Sequence, residues 1–253
     1  MNESKISEGE KTFFQKYYLL FFYLFFLLLD CWFLYSKDYN NRKFSKSLLM
    51  PCLFLWFMSN TAFNMRSSPY TLLVRLLLYS VFTVTWIADI CGLLTNLFLW
   101  SSCLYLYLVS YIFYLFILIS INTKALSSGF VIYVKKVFPP ILLFWVLAIL
   151  YIYQFFGLSL NILNNTLYFQ VFVITLLILF TTNMLGIDKL KRIRLVFIIS
   201  IVCLILTNAI YGVDEVYFHR RHSILDVGVA INNGLSQVLM VLGIIKYIQA
   251  KIA

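Results

Sequence analysis

The stretch VFTVTWIADICGLLTNLFLW, Val81 to Trp100, places one carboxylate, Asp89, among about twenty apolar or weakly polar residues. A charge in such company is costly unless it is paired or functional. The surrounding run is too long for the buried helix of a small soluble domain and matches the thickness of a bilayer core, about 20 residues of helix.

The rest of the chain reads the same way. Of its 253 residues, 62% are hydrophobic and 12% are charged, with a mean hydropathy of +0.90. That leaves too little polar surface to cover a water-soluble body. The apolar runs are continuous and lack the two-residue alternation of barrel strands, so the expected class is all-α: one integral-membrane domain that satisfies its backbone within helices. Eight spans are expected, at about 17–36, 47–64, 70–94, 97–121, 138–157, 165–185, 194–217 and 226–248. The N-terminal MNESKISEGEKTFFQK is polar and mixed in charge. It precedes an apolar run too long for a signal peptide, which is read as a retained first span. The proline of the second span, Pro51, and the pair Pro139–Pro140 lie near expected helix starts, where a missing N–H is tolerated.

The net charge of +10 would hint at nucleic acid in a soluble protein. In this composition it belongs to cationic loops that set topology and meet anionic lipid, so no nucleic-acid partner is expected. Eight spans divide the Lys and Arg residues into fourteen on one side and six on the other. The richer side holds both termini, which the positive-inside rule places in the cytoplasm. The loop KDYNNRKFSK, residues 37–46, runs against the trend. Cys31, Cys52, Cys91, Cys103 and Cys203 are scattered through apolar spans without a CxxC pair, so neither a disulfide framework nor a metal site is read.

With this topology the polar residues of several spans converge on the outer leaflet. Asp89 falls about 9 Å inside the outer end of its helix, at 1.5 Å per residue. Asp214, Glu215, Asp30, Asp226 and Lys46 lie toward the same side, with Asn232, Asn233 and Gln237 in the last span. Asp30, Glu215 and Asp226 also suit the water–lipid boundary, and Asp89 also suits an ion pair with Lys46. Two carboxyl groups sharing a partly dry cavity titrate as a coupled pair, one acting as general acid while the other stays an anion. Asp89 and Asp214 are the candidate pair. In HRRH, residues 219–222, Arg220 and Arg221 suit a phosphate headgroup better than the histidines suit a metal. Tyr168 and Tyr211 stand out from the aromatic residues of the interfacial belt. No nucleophile elbow, P-loop, GxGxxG or HExxH motif occurs.

The order of these features resembles the YhhN family of eight-helix membrane proteins, whose characterised members are lysoplasmalogenases. FSKSLLMPCLF supplies Lys46 where that family has a Lys-Pro, with Ser47 in the proline's place. IADICGLL keeps Asp89, with Ala88 for the family's glycine. SYIFY sets Tyr111 at a position that usually holds His and Tyr114 at the following Tyr. AIYGVDEVYF gives Val213 and Asp214 for a Ser-Asp, and NNGLSQVLMVLG places Gln237. The resemblance implies hydrolysis of the vinyl ether of a lysophospholipid by Asp214 as acid and Asp89 as stabiliser. Lys46, Arg220 or Arg221 would hold phosphate. Tyr111, Tyr114, Asn233 and Gln237 would bind or orient substrate. No metal or organic cofactor is implied. Tyr111 departs from the family where a His would move a proton, and tyrosine is a poor base near neutral pH. Two other readings stay open: a non-catalytic protein that binds a lipid or other amphiphile, and a small transporter carrying protons on Asp89 and Asp214. The expected location is a membrane, the inner one if the source is bacterial.

Overall fold

The computed structural model describes residues 13–61, 69–94, 97–122, 146, 150, 170–171, 173–178, 191–214 and 223–252. Among the described residues the architecture is all-helical. The long elements are α1 (Phe13–Tyr35), α2 (Tyr39–Thr61), α3 (Pro69–Gly92), α4 (Leu97–Asn122), α5 (Lys191–Val213) and α6 (Ser223–Ile252). Residues 170–171 and 173–178 are also helical. Five of the six long helices are long and apolar enough to cross a membrane: all but α2. The chain is therefore a multi-pass membrane protein in composition and architecture. The expected fifth span lies almost wholly outside the described residues, and of the sixth only a part is described.

α2 corrects the sequence reading. It begins at Tyr39 rather than near 47, so most of the expected loop KDYNNRKFSK is helix. Local chemistry explains the early start. α1 ends where Lys37 takes a left-handed conformation, φ 60°. The amide of Asp38 then donates to Phe33 O, and that of Lys37 to Leu34 O, satisfying the last carbonyls of α1. The Asp38 carboxylate immediately caps α2, accepting from the backbone N–H of Asn41 at 3.2 Å and from its side chain at 2.6 Å. One helix thus stops and the next starts within three residues. α2 opens on these polar turns and closes on Ser59, Asn60 and Thr61, and it is the one long helix among the described residues that falls short of a span.

The longer helix puts Pro51 in its interior, not near its start as expected. Proline has no N–H, so the carbonyl of Ser47, four residues back, loses its helical donor. The indole N–H of Trp86 on α3 donates to that carbonyl at 2.9 Å. A side chain from the neighbouring helix therefore replaces the missing backbone bond.

α2 packs between α1 and α3 and also touches α6. α6 joins α1 to α5, and α4 packs on α3. The middle of α2 carries three of the most deeply buried large side chains among the described residues, Leu53, Trp56 and Phe57. Phe57, Phe54, Tyr79 and Phe82 pack as tilted and edge-to-face rings between α2 and α3. In lipid such contacts hold helices together by close packing rather than by escape from water. α6 and α5 approach especially closely at Gly243, where an added Cβ would fall 2.6 Å from the Phe197 ring. Phe21, Phe22, Phe25, Leu28 and Trp32 of α1 point outward, as expected of a lipid face.

Two predictions follow from the α1–α2–α3 unit. Trp86→Phe strands the Ser47 carbonyl and destabilises the protein by about 1–3 kcal/mol. In a Pro51→Ala background, where residue 51 regains its N–H, most of that cost disappears; unfolding in mixed micelles of all four cycle members measures the coupling. The second concerns pH. The Asn41 side chain, and then its backbone N–H, hold the Asp38 carboxyl below its ordinary range. The cap therefore contributes fully above that range and is lost as pH falls through the lowered folded-state value. Melting temperatures of wild type and Asp38→Ala should differ at neutral pH and converge in acid.

Candidate functional site

The same helix geometry gathers the polar residues at one end of the bundle. That end holds the C-termini of α1, α3 and α5 and the N-termini of α2, α4 and α6. It contains a cavity of about 220 Å³. Its charged lining residues are Asp30, Arg42, Lys46, Asp89 and Asp226, and its polar ones include Tyr107, Tyr111, Asn208 and Asn233.

α2 supplies both cations. Arg42 and Lys46 are four residues apart, so they project from one face of the helix. Arg42 Nε lies 3.4 Å from Asp30 Oδ1 on α1, and Ser45 Oγ reaches the same oxygen at 3.5 Å. Lys46 Nζ lies 3.4 Å from Asp89 Oδ1 on α3. Both carboxylates are only 2% exposed. The Asp89–Lys46 pairing is one of the two roles the sequence suggested for Asp89. Asp30 is a buried partner in an ion pair.

α4 supplies a stripe of tyrosines at positions 107, 111 and 114, each with a named partner. Tyr107 donates to Asp89 Oδ1 at 2.5 Å. Tyr111 shares a hydrogen bond with the Asn208 side chain of α5. Tyr114 donates to Gln237 Oε1 of α6 at 2.5 Å. Tyr107 and Tyr111 line the cavity; Tyr114 and Gln237 do not and are buried among the helices. The Tyr23 hydroxyl of α1 donates to the Gly234 carbonyl at 3.1 Å, another tie between residues of the cavity wall.

Of the residues singled out from sequence, Asp30, Lys46, Asp89, Tyr111, Tyr211, Asp226 and Asn233 line this cavity. Asp214 is not among its lining residues. Its helix explains why. Thr207 and Tyr211 line the cavity from α5, and Asp214 follows one turn further along the same stripe. It is 2% exposed, and its Oδ1 has no hydrogen-bond partner among the described residues. The cavity's other carboxylates are Asp30 and Asp226 instead. Arg220, Arg221, Glu215 and Tyr168 lie outside the described residues. Sequence reasoning missed Arg42, Tyr107 and Asn208. The i, i+4, i+7 spacing of three tyrosines in α4 was the signal for Tyr107. Among the described residues no three His, Cys, Asp or Glu side chains converge to hold a metal.

Comparison with protein-family models, curated proteins and solved structures gives no match.

Removing one member of the Lys46–Asp89 pair leaves an uncompensated buried charge. Lys46→Met should therefore destabilise by about 3 kcal/mol or more. Adding Asp89→Asn should recover much of the loss, because a neutral pair strands no charge; unfolding of the two single variants and the double variant tests this.

Proposed function

We propose that the protein is an eight-helix, YhhN-type membrane hydrolase with both termini in the cytoplasm, acting on the vinyl ether of a lysoplasmalogen. In a bacterium it would reside in the inner membrane. The single observation that carries this reading is a polar cavity at one end of a bundle of apolar helices, with an oriented carboxylate in its wall. A cavity of about 220 Å³ suits the polar part of a lysolipid, with the hydrocarbon chain left outside it.

The reaction consumes one water and needs no oxidant. A carboxylic acid protonates the vinyl carbon remote from the ether oxygen, leaving an oxocarbenium ion. Water adds to the cationic carbon and returns a proton, giving a hemiacetal, which breaks its C–O bond to release an aldehyde and a glycerophospho-alcohol. Two carboxyl groups divide this work as they do in glycosidases. Asp89, beside Lys46, stands as the anion that stabilises the cation and guides water. Asp214 is the proposed acid: it continues the Thr207–Tyr211 stripe one turn beyond the cavity wall, and its Oδ1 has no hydrogen-bond partner among the described residues. Asp226, in the cavity wall, is the carboxyl that takes this role if Asp214 does not. Lys46, at the cavity wall beside Asp89, or else Arg220 or Arg221, would hold the phosphate. Asn233 and Tyr111 orient the headgroup from the wall, while Tyr114 and Gln237 support it from outside.

One observation favours a second reading, binding of an amphiphile without turnover. Both Asp30 and Asp89 already hold a cation, as a static binding chamber requires. Aldehyde release from lysoplasmalogen by the purified protein in detergent separates the two. The hydrolase reading expects release above a no-protein blank and a loss of about a hundredfold or more in Asp89→Asn and in Asp214→Asn. Loss in Asp226→Asn instead reassigns the acid. Release equal to the blank ends the hydrolase reading.

A further inference from the structure

The contacts of Asp89 are one-sided. Tyr107 Oη donates to Oδ1 at 2.5 Å, and the closest approach of Lys46 Nζ, 3.4 Å, is to the same oxygen. Among the described residues no hydrogen bond reaches Oδ2. The residue is 2% exposed and stands in the wall of the cavity, so what remains of its acceptor capacity has only the cavity to serve. An ionised carboxyl group has about four lone-pair sites, and two contacts on one oxygen leave the other to be met from the cavity.

We propose that Asp89 offers Oδ2 to the cavity as the acceptor for a bound molecule's hydroxyl or for a water. On this proposal Tyr107 is the positioning residue which, with Lys46, pins Oδ1 and so fixes the direction of Oδ2. Tyr107 reaches Asp89 from α4 and Lys46 reaches it from α2, so two neighbouring helices hold the same carboxylate oxygen. A donor arriving in the cavity meets an oxygen whose orientation is set in advance, and the ordering cost of binding is correspondingly smaller. This arrangement serves a hydrolase that steers water and a binding protein that holds a hydroxyl equally, so the inference goes beyond the proposed reaction.

The test uses full-length protein in detergent and an uncleavable probe, a saturated 1-O-alkyl lysophospholipid with a free glycerol hydroxyl. Infrared difference spectra are recorded with and without the probe, and the Asp89 carboxylate band is assigned by its loss in Asp89→Asn. The probe should shift that band in the wild type. A matched probe lacking the hydroxyl should leave it where water alone sets it. Tyr107→Phe, which preserves the ring, should move the band before any probe is added and weaken probe binding by about fivefold, the worth of one hydrogen bond. Tyr105→Phe, on the outward side of α4, should change neither. A band indifferent to Tyr107→Phe overturns the positioning role. A band indifferent to the hydroxyl-bearing probe overturns the acceptor role. A probe-induced shift in a protein that releases no aldehyde supports this inference while ending the hydrolase reading.

Discussion

The arrangement depends on one requirement: the charges that α2 carries into an apolar bundle must be met there. A buried ion without a partner costs several kcal/mol even after relaxation, and lipid offers no water to soften it. Arg42 and Lys46 stand one turn apart on α2, and each finds a carboxylate on a different neighbour, Asp30 on α1 and Asp89 on α3. The two pairs therefore fix more than charge. They hold α2 between α1 and α3 at a set depth, and the polar end of α2 becomes part of the wall of the cavity.

The same rule governs the backbone one turn further along α2. Pro51 frees the Ser47 carbonyl, and the Trp86 indole takes it. Trp86 and Asp89 are three residues apart on α3, while Ser47 and Lys46 are adjacent on α2. The α2–α3 seam is thus tied twice in one place, once through a charge and once through a backbone carbonyl. A carboxylate set in such a seam has little freedom to turn, and Tyr107 limits it further from α4.

Polarity is graded along the bundle. At the end holding the cavity, side chains pair with one another across helices. Toward the middle, Tyr114 with Gln237, and Ser200 with the Ser236 carbonyl at 2.7 Å, keep a few polar groups satisfied. Around them the packing is of aliphatic and aromatic side chains, Leu53, Phe57, Phe197 and Ile244 among the most buried. A ligand entering the polar end would meet preset donors and acceptors, and beyond them a packed floor.

The class was legible from composition alone, because 62% hydrophobic residues with so few charges leave helices in lipid as the workable solution. The positions of α1, α3, α4, α5 and α6 were legible too, since each is a long apolar run whose ends are set locally. Asp89 announced itself because a lone carboxylate in such a run is expensive. The start of α2 was less legible: a polar segment reads as loop until the Asp38 cap and the distant partners of Arg42 and Lys46 are known. Tyr107 and Asn208 were hidden among many tyrosines and amides, since nothing local tells a hydroxyl facing a carboxylate from one facing lipid. The cavity's membership belonged to the tertiary structure. Asp214 and Asp226 are equally acidic in the sequence, and one turn of α5 leaves the first out of the wall while the start of α6 puts the second in it. Sequence determines which residues lie on one stripe of a helix, but only packing decides how far along that stripe the space between helices extends.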